Sequence, residues 1–365
     1  MISSDKNINI SAKRVLVAPL DWGLGHATRC VPVIQQLIHA GFEVLIAAEK
    51  KAAILLRQEF PSLTIIPLPG YRISYAKSRL FFSLKILSQV PKILKAIKAE
   101  HKWLQQIIKD YRIDIVISDN RYGLYNKAVT SIFITHQLRI ETGNAFTNSV
   151  VQKINYRLIK KFSACWVSDK KGEKNLAGKL SHPKPMPDID LKYIGVLSRC
   201  RKEENKKNIE LLIVLSGPEP QRTTLENILL AQMKECSFKI VLVRGLPGAM
   251  QQLLSQNKLI EIYNHLPAEK LNSLIQSAKI VIARSGYSTI MDLAVLQQPA
   301  ILIATPGQTE QEYLAKYLAD KKYCQAAQQQ GFNLAKQLNL FKKNEPLGFP
   351  LLENNELKEA INSLL

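Results

Sequence analysis

Arg14-Val15-Leu16-Val17-Ala18-Pro19-Leu20-Asp21-Trp22-Gly23-Leu24-Gly25-His26 is the stretch whose reading decides the fold. Its first seven residues are a short apolar run rich in β-branched side chains, which predicts a buried strand. Asp21 to His26 then forms a glycine turn. From Ala27 the apolar residues recur at helical spacing through Leu37 to Gly41, and a second apolar run follows at Glu43 to Ala48. Strand, glycine turn, helix, strand is the unit of a parallel α/β sheet.

The unit recurs along the chain. Ile113 to Asp119 and Ser131 to Thr135 read as strands, and Ala164 to Ser168 as another after a helix around Val150 to Lys161. A proline-rich stretch, Pro183 to Pro187, breaks the rhythm, and the charged segment Arg199 to Asn208 reads as a solvated linker. The alternation restarts at Glu210 to Gly217. Further strands are expected at Lys239 to Val243, Leu259 to Tyr263, Lys279 to Ala283 and Ala300 to Ala304. The expectation is an α/β protein of two similar-sized domains, residues 1–197 and 198–365, with the last helix packing back on the first domain.

Bulk properties agree with two domains. At 365 residues the chain exceeds one typical domain, and 46% hydrophobic with 22% charged residues suits an ample core. The five cysteines are scattered singly, which argues against a disulfide framework and fits a reducing compartment. Met1 to Lys13 is polar, and no apolar run approaches the roughly 20 residues that cross a bilayer. A cytoplasmic location is therefore expected.

Two strand-to-helix turns carry the chemistry. In open α/β sheets ligands bind beyond the carboxyl ends of the strands. Gly23 and Gly25 lie at such an end and allow close backbone approach, and the helix behind them offers free N–H groups to an anion. His26 titrates near neutral pH and suits a general base; the plainer reading is a tight turn with a structurally bonded histidine. In the second half, Ala283-Arg284-Ser285-Gly286 is a similar turn. Arg284 and Ser285 can meet a pyrophosphate, and Thr289 and Asp292 fall on one side of the next helix, where a carboxylate can accept ribose hydroxyls. The plainer reading makes Ser285 a cap and Asp292 a solvated charge. Pro306-Gly307-Gln308-Thr309-Glu310-Gln311-Glu312 supplies polar groups after the next strand.

With those residues in place, the second half resembles the donor-binding domain of MurG-like glycosyltransferases of families 28 and 1, which have the GT-B fold of two Rossmann-like domains facing across a cleft. The match runs from Arg284-Ser285-Gly286 through Thr289 and Asp292 to Gln308, Gln311 and Glu312, and the first half carries the matching loop with His26. The resemblance implies a first domain on the acceptor side and a second that binds a UDP-sugar as co-substrate, without a cofactor or metal. It implies uridine and ribose binding by the helix of Asp292, and sugar contacts from Gln311 and Glu312. His26 would lie near the reaction centre with Gly23, Gly25 and Arg29, His136 and Gln137 near the cleft, Arg199 at the domain junction, and Ser216-Gly217 near the pyrophosphate. The implied reaction is inverting transfer of a GlcNAc-like sugar to a hydroxyl acceptor, lipid-linked or part of a cell-envelope glycan. Three departures stand out: Asp292 where the family has glutamate, Ser216 to Arg222 with prolines instead of a glycine-rich loop, and Glu312 where an amide is common. Asp188-Ile189-Asp190 matches a metal-binding carboxylate pair only formally, in the wrong fold context.

The net charge of +20 concentrates in Arg72, Lys77, Arg79, Lys85, Lys92, Lys95, Lys98, Lys102 and Lys109, interleaved with apolar residues from Leu80 to Ile97. This stretch is read as a peripheral contact with anionic membrane; the competing reading is a helix pair with its apolar side inward. With no nucleic-acid reading motif, nucleic acid is not an expected partner. Two other functions share the same donor site: a UDP-sugar hydrolase, and a non-catalytic protein that binds nucleotide sugars or membrane.

Overall fold

The structure, a computed structural model, describes residues 12–71, 82–142, 145–247, 249–251, 253–353 and 355–365. The first domain runs β1 (Arg14–Pro19), α1 (Leu24–His39), β2 (Glu43–Ala47), α2 (Lys50–Glu59), β3 (Ile65–Ile66), α3 (Phe82–Tyr111), β4 (Ile115–Asp119), β5 (Thr130–Thr135), α4 (Ala145–Ile159), β6 (Ala164–Val167) and β7 (Leu191–Tyr193). The second runs β8 (Ile209–Val214), α5 (Gln221–Met233), β9 (Ile240–Val243), β10 (Ile260–Tyr263), α6 (Ala268–Ser277), β11 (Ala278–Arg284), α7 (Tyr287–Val295), β12 (Ala300–Ile303), α8 (Thr309–Asp320), β13 (Gln325–Ala327), α9 (Leu334–Asn344) and α10 (Glu356–Asn362).

Among the described residues the strands form two parallel sheets, ordered β3-β2-β1-β4-β5-β6-β7 and β10-β9-β8-β11-β12-β13. Both are Rossmann-like. Strands buried on two faces read as continuous apolar runs, as β12 and most of β1 do. The order reverses between β1 and β4 and again between β8 and β11, and such switch points open a crevice at the carboxyl ends of the strands.

Packing brings the two crevices together. Val31, Ile34 and Leu37 of α1 join Ile290, Met291 and Ala294 of α7 and Ala360 and Ile361 of α10 in one apolar cluster that spans both domains. Burying each large aliphatic side chain contributes about 1.5–3 kcal/mol, so this shared core resists wide separation of the sheets. Lys13 Nζ donates to the carbonyls of Leu364 and Leu365, and Lys170 pairs with Glu356, so the C-terminal segment is tied to the first domain. The far faces have their own cores, under α3 on one side and under α5 and α9 on the other.

The basic stretch divides. Residues 72–81, and the side chains of residues 82–90 with Lys85, lie outside the described residues. In the rest of α3, Ile97, Leu104 and Ile107 are buried while Lys92, Lys95, Lys98, Lys102 and Lys109 are exposed. From residue 91 onward α3 thus turns Ile97, Leu104 and Ile107 inward and its lysines outward. Leu94 is the exception, 46% exposed.

Candidate active site

Helix α1 begins at Leu24, three residues earlier than the apolar spacing suggests, so His26 sits in its first turn. Arg29 follows at the i+3 position on the same face. Strand β4 lies beside β1 and ends at Asp119, whose side chain is fully buried. Arg29 Nε donates to both Asp119 oxygens at 2.9 Å, and Arg29 Nη2 donates to Oδ1. His26 Nδ1 lies 2.9 Å from Asp119 Oδ2 and 2.8 Å from Arg29 Nη2. Nδ1 thus accepts from Arg29 in one tautomer and donates to Asp119 in the other; the second leaves Nε2 unprotonated, and no protein partner for Nε2 is present among the described residues.

These charges set one another. Arg29 and His26 outweigh the burial of Asp119 and hold its carboxyl below the usual range. Burial, and then the Arg29 charge, lower His26 below the ordinary imidazole value although Asp119 opposes them. His26 is therefore neutral at neutral pH, the state a base needs.

The network continues into the second domain. Arg29 Nη1 contacts His136 Nδ1 at 3.2 Å. Because a guanidinium can only donate, His136 carries its proton on Nε2 and gives it to Glu310 Oε1 at 2.7 Å. Its ring stacks on Tyr287 at 4.1 Å, and the Tyr287 hydroxyl donates to the Ser168 carbonyl. Ser288 Oγ donates to the Gly25 carbonyl at 3.0 Å, and a Cβ at position 25 would lie 2.7 Å from that hydroxyl. Close approach of α7 thus requires the second glycine. Gly23 has extended backbone and open space around it.

On the donor side, Gly286 is the N-cap of α7, with open space around it, and Ser285 Oγ donates to the Gln311 carbonyl. Ser216 and Gly217 are exposed, and Gly217 has φ +101°, a conformation that favours glycine. Facing Gly217 is Thr305, 2% exposed, whose Oγ1 is buried without a protein partner among the described residues. Thr289 is partly exposed one turn before Asp292, and Asp292 Oδ1 accepts the Ser198 hydroxyl at 2.6 Å. Burial raises the Asp292 carboxyl to about 6. Gln137 is half-buried beside His136. Arg199 Nη1 pairs with Glu59 Oε1 at 2.6 Å, joining the linker to α2.

Three predicted residues are placed otherwise than the motif suggests. Arg284 is 1% exposed; Nη1 donates to the Ala304 carbonyl and Nη2 to the Gln221 carbonyl and Gln329 Oε1. Only Nε lacks a partner among the described residues, and burial lowers the guanidinium to about 10. This arginine braces the loops around the crevice. Gln311 Oε1 accepts the Thr305 amide and its Nε2 donates to Gln308 Oε1, while Glu312 Oε1 accepts the Gly307 amide. These side chains shape the loop, and the acid that meets the first domain is Glu310. Asp188 is a surface partner of Lys160. The sequence does not single out Asp119, Thr305 or Ser198, and it marks Glu310 only as one of the polar groups of its loop. For Asp119 the available signal was a carboxylate closing an apolar strand.

Comparison with known proteins bears on the fold and the class of protein. The family model described as "Glycosyltransferase family 28 C-terminal domain" matches residues 211–362, and that described as "Glycosyl transferase family 1" matches residues 14–137. A UDP-N-acetylglucosamine–N-acetylmuramyl-(pentapeptide) pyrophosphoryl-undecaprenol N-acetylglucosamine transferase of Clostridium perfringens is 22% identical over 356 residues, covering 93% of this chain and 94% of its own. Among solved structures, the glycosyltransferase of kitacinnamycin superposes with a TM-score of 0.65 at 12% identity, over 97% of this chain and 94% of that one. MurG of Acinetobacter baumannii does so with 0.55 at 16% identity, over 96% and 99%. Two Rossmann-like domains around a histidine-bearing crevice, with these matches, define a glycosyltransferase of the GT-B class. Within that class the chain is similar to the MurG-like glycosyltransferases over nearly its whole length.

Proposed function

We propose that the protein transfers a sugar from a UDP-sugar to a hydroxyl acceptor with inversion at the anomeric carbon and without a metal ion. The observation that carries this reading is the His26–Asp119 pair at the first turn of α1, 2.9 Å apart, opposite the N-terminus of α7. In the proposed step Nε2 of His26 takes the acceptor proton as the hydroxyl oxygen bonds to the anomeric carbon. The bond from that carbon to the diphosphate oxygen breaks, and the electron pair leaves with UDP. Asp119 holds the ring with its proton on Nδ1 and stabilises the imidazolium that forms.

Charge building on the diphosphate is met by the N-termini of α7 and α8, the Ser285 turn, the Gly217 loop and the unpartnered Thr305 hydroxyl. Asp292 reads the ribose, and Glu310 faces the donor sugar from α8. The donor sugar is proposed as GlcNAc-like and the acceptor as a lipid-linked cell-envelope precursor, on the strength of the Clostridium relative. The exposed lysines of α3 would then draw the protein to anionic lipid.

The test is incubation with radiolabelled UDP-GlcNAc, UDP-glucose or UDP-galactose and a bacterial lipid extract. Label should move from one UDP-sugar into the organic phase, with UDP released in equal amount and the anomeric configuration inverted. Retention of configuration, or UDP release with the label recovered as free sugar, would contradict the proposal.

A further inference from the structure

Trp22 stands in the turn that carries β1 into α1, shortly before His26, and it is 42% exposed. This indole is held from beneath. Its ring meets that of Tyr71 edge-on, with 6.2 Å between centroids and 71° between planes. Tyr71 is itself buried; its hydroxyl donates to Glu100 Oε2 at 2.7 Å and its amide to Asp21 Oδ1 at 3.1 Å. Arg121, fully buried, pairs with Glu100 and donates to the carbonyls of Pro19 and Pro69, tying the end of β1 to the loop after β3. An edge-on contact uses one face or one edge of the indole, so at least one face is left open by it.

That face belongs to the acceptor side. Asp292, Ser285, Gly217 and Thr305, read above as holding the donor, are all in the second domain, whereas Trp22 and Tyr71 are in the first. From Trp22 to His26 the chain spans at most roughly 14 Å between Cα atoms, so a ligand on the indole comes within reach of the base. The indole face is broad, apolar and electron-rich. It matches the axial C–H face of a pyranose, whose hydroxyls project from the ring edge and stay free for a base. A phosphate gains nothing from such a face. The chain neighbours Asp21 and Gly23 offer a carboxylate and bare backbone rather than an apolar track for an acyl chain.

We infer that Trp22 is a specificity-determining residue for the acceptor: its open face stacks on a pyranose ring, so that the attacking hydroxyl is carried by a sugar. This rests on the reading above that His26 is the base, and it names the acceptor class for that site.

The experiment is an NMR titration of the full-length protein, with isotopically labelled tryptophan and saturating UDP. The probes are methyl β-glucopyranoside and methyl N-acetyl-β-glucosaminide. Trp22, Trp103 and Trp166 each give one indole N–H signal, and the signal lost in Trp22→Phe is that of Trp22. At least one glycoside should shift this signal while those of Trp103 and Trp166 stay in place. Trp22→Ala should weaken binding of that glycoside about tenfold, the worth of an aromatic stacking contact, and Trp22→Phe should restore it to within about threefold. Equal binding by the wild type and Trp22→Ala would overturn the inference, as would glycosides that leave the Trp22 signal unmoved. A shift produced by octanol where both glycosides are silent would also overturn it and assign the face to an acyl chain. If Trp22→Ala does not fold, the wild-type shifts and Trp22→Phe still decide. Calorimetry with UDP separates the two readings: a wild type that does not bind UDP brings down the donor site, whereas silent glycosides with UDP bound bring down only the role of Trp22.

Discussion

Replacing Asp119 by asparagine keeps the side-chain shape and removes one buried negative charge. Arg29 is 3% exposed and directs Nε and Nη2 at this carboxylate, so the substitution strands a guanidinium inside the first domain. Breaking a buried ion pair in this way costs about 3–5 kcal/mol, a large part of the roughly 5–15 kcal/mol that holds a domain folded. Glu310, reached through His136, can take up only a fraction of that charge. The catalytic effect is separate. Asp119 raises His26 through its charge and its hydrogen bond, so its loss lowers His26 further and frees the ring to carry its proton on Nε2, the wrong nitrogen for a base. We expect a fall in kcat of about 10²–10⁴-fold, with UDP affinity within about threefold of wild type. Urea denaturation gives the stability change and steady-state transfer assays the rate. A variant with wild-type stability and kcat within threefold would refute both the ion-pair argument and the role given to Asp119.

Further expectations follow from the same contacts. His26→Ala should lower transfer at least about 10³-fold while UDP binding by calorimetry stays unchanged; near-normal turnover would remove the base from its role. Burial and Arg29 depress His26, so the acid limb of kcat/KM should fall below pH 6.5, the ordinary imidazole value, with activity lost as pH drops through it; a midpoint above 6.5 would contradict this. Gly25→Ala places a methyl against Ser288 Oγ and should reduce kcat/KM about tenfold or more, with recovery in the Gly25→Ala, Ser288→Ala double variant; no recovery would show that the close approach is not the cause. Asp292 has a raised folded pKa, about 6 against 3.8, so its contribution to stability is full below pH 3.8 and lost as pH rises through 6. Asp292→Asn should therefore gain stability relative to wild type between pH 4 and pH 7, by about 3 kcal/mol at most, and a difference independent of pH would rule out that shift.

The architecture was readable because each strand of a doubly covered sheet is a continuous apolar run closed by a turn. β3 and β13 are two and three residues long and leave no such signal. The site was half legible. His26 and Gly25 announce themselves at the end of β1, but Asp119 meets His26 across 93 positions, a pairing created by placing β4 next to β1. Arg284 looked free for an anion because it closes a strand. Alternation along β11 instead sends it to the face of Ile282, beneath the start of α5, where protein carbonyls hold both terminal nitrogens. Glu310 and Glu312 are two residues apart, about 200° around α8, so only one can face the first domain. Which one does so depends on where the helix begins, and that boundary is the part of a helix its sequence marks least.

The central claim is that the crevice formed by α1, α7 and α8 holds a nucleoside diphosphate sugar beside His26. A crystal structure of the protein with UDP tests it most directly. The account predicts the ribose against Asp292, the diphosphate between the Gly217 loop, Thr305 and the N-terminus of α7, and the terminal phosphate directed toward His26 Nε2. UDP bound away from these residues, or oriented with its base toward His26, would contradict it.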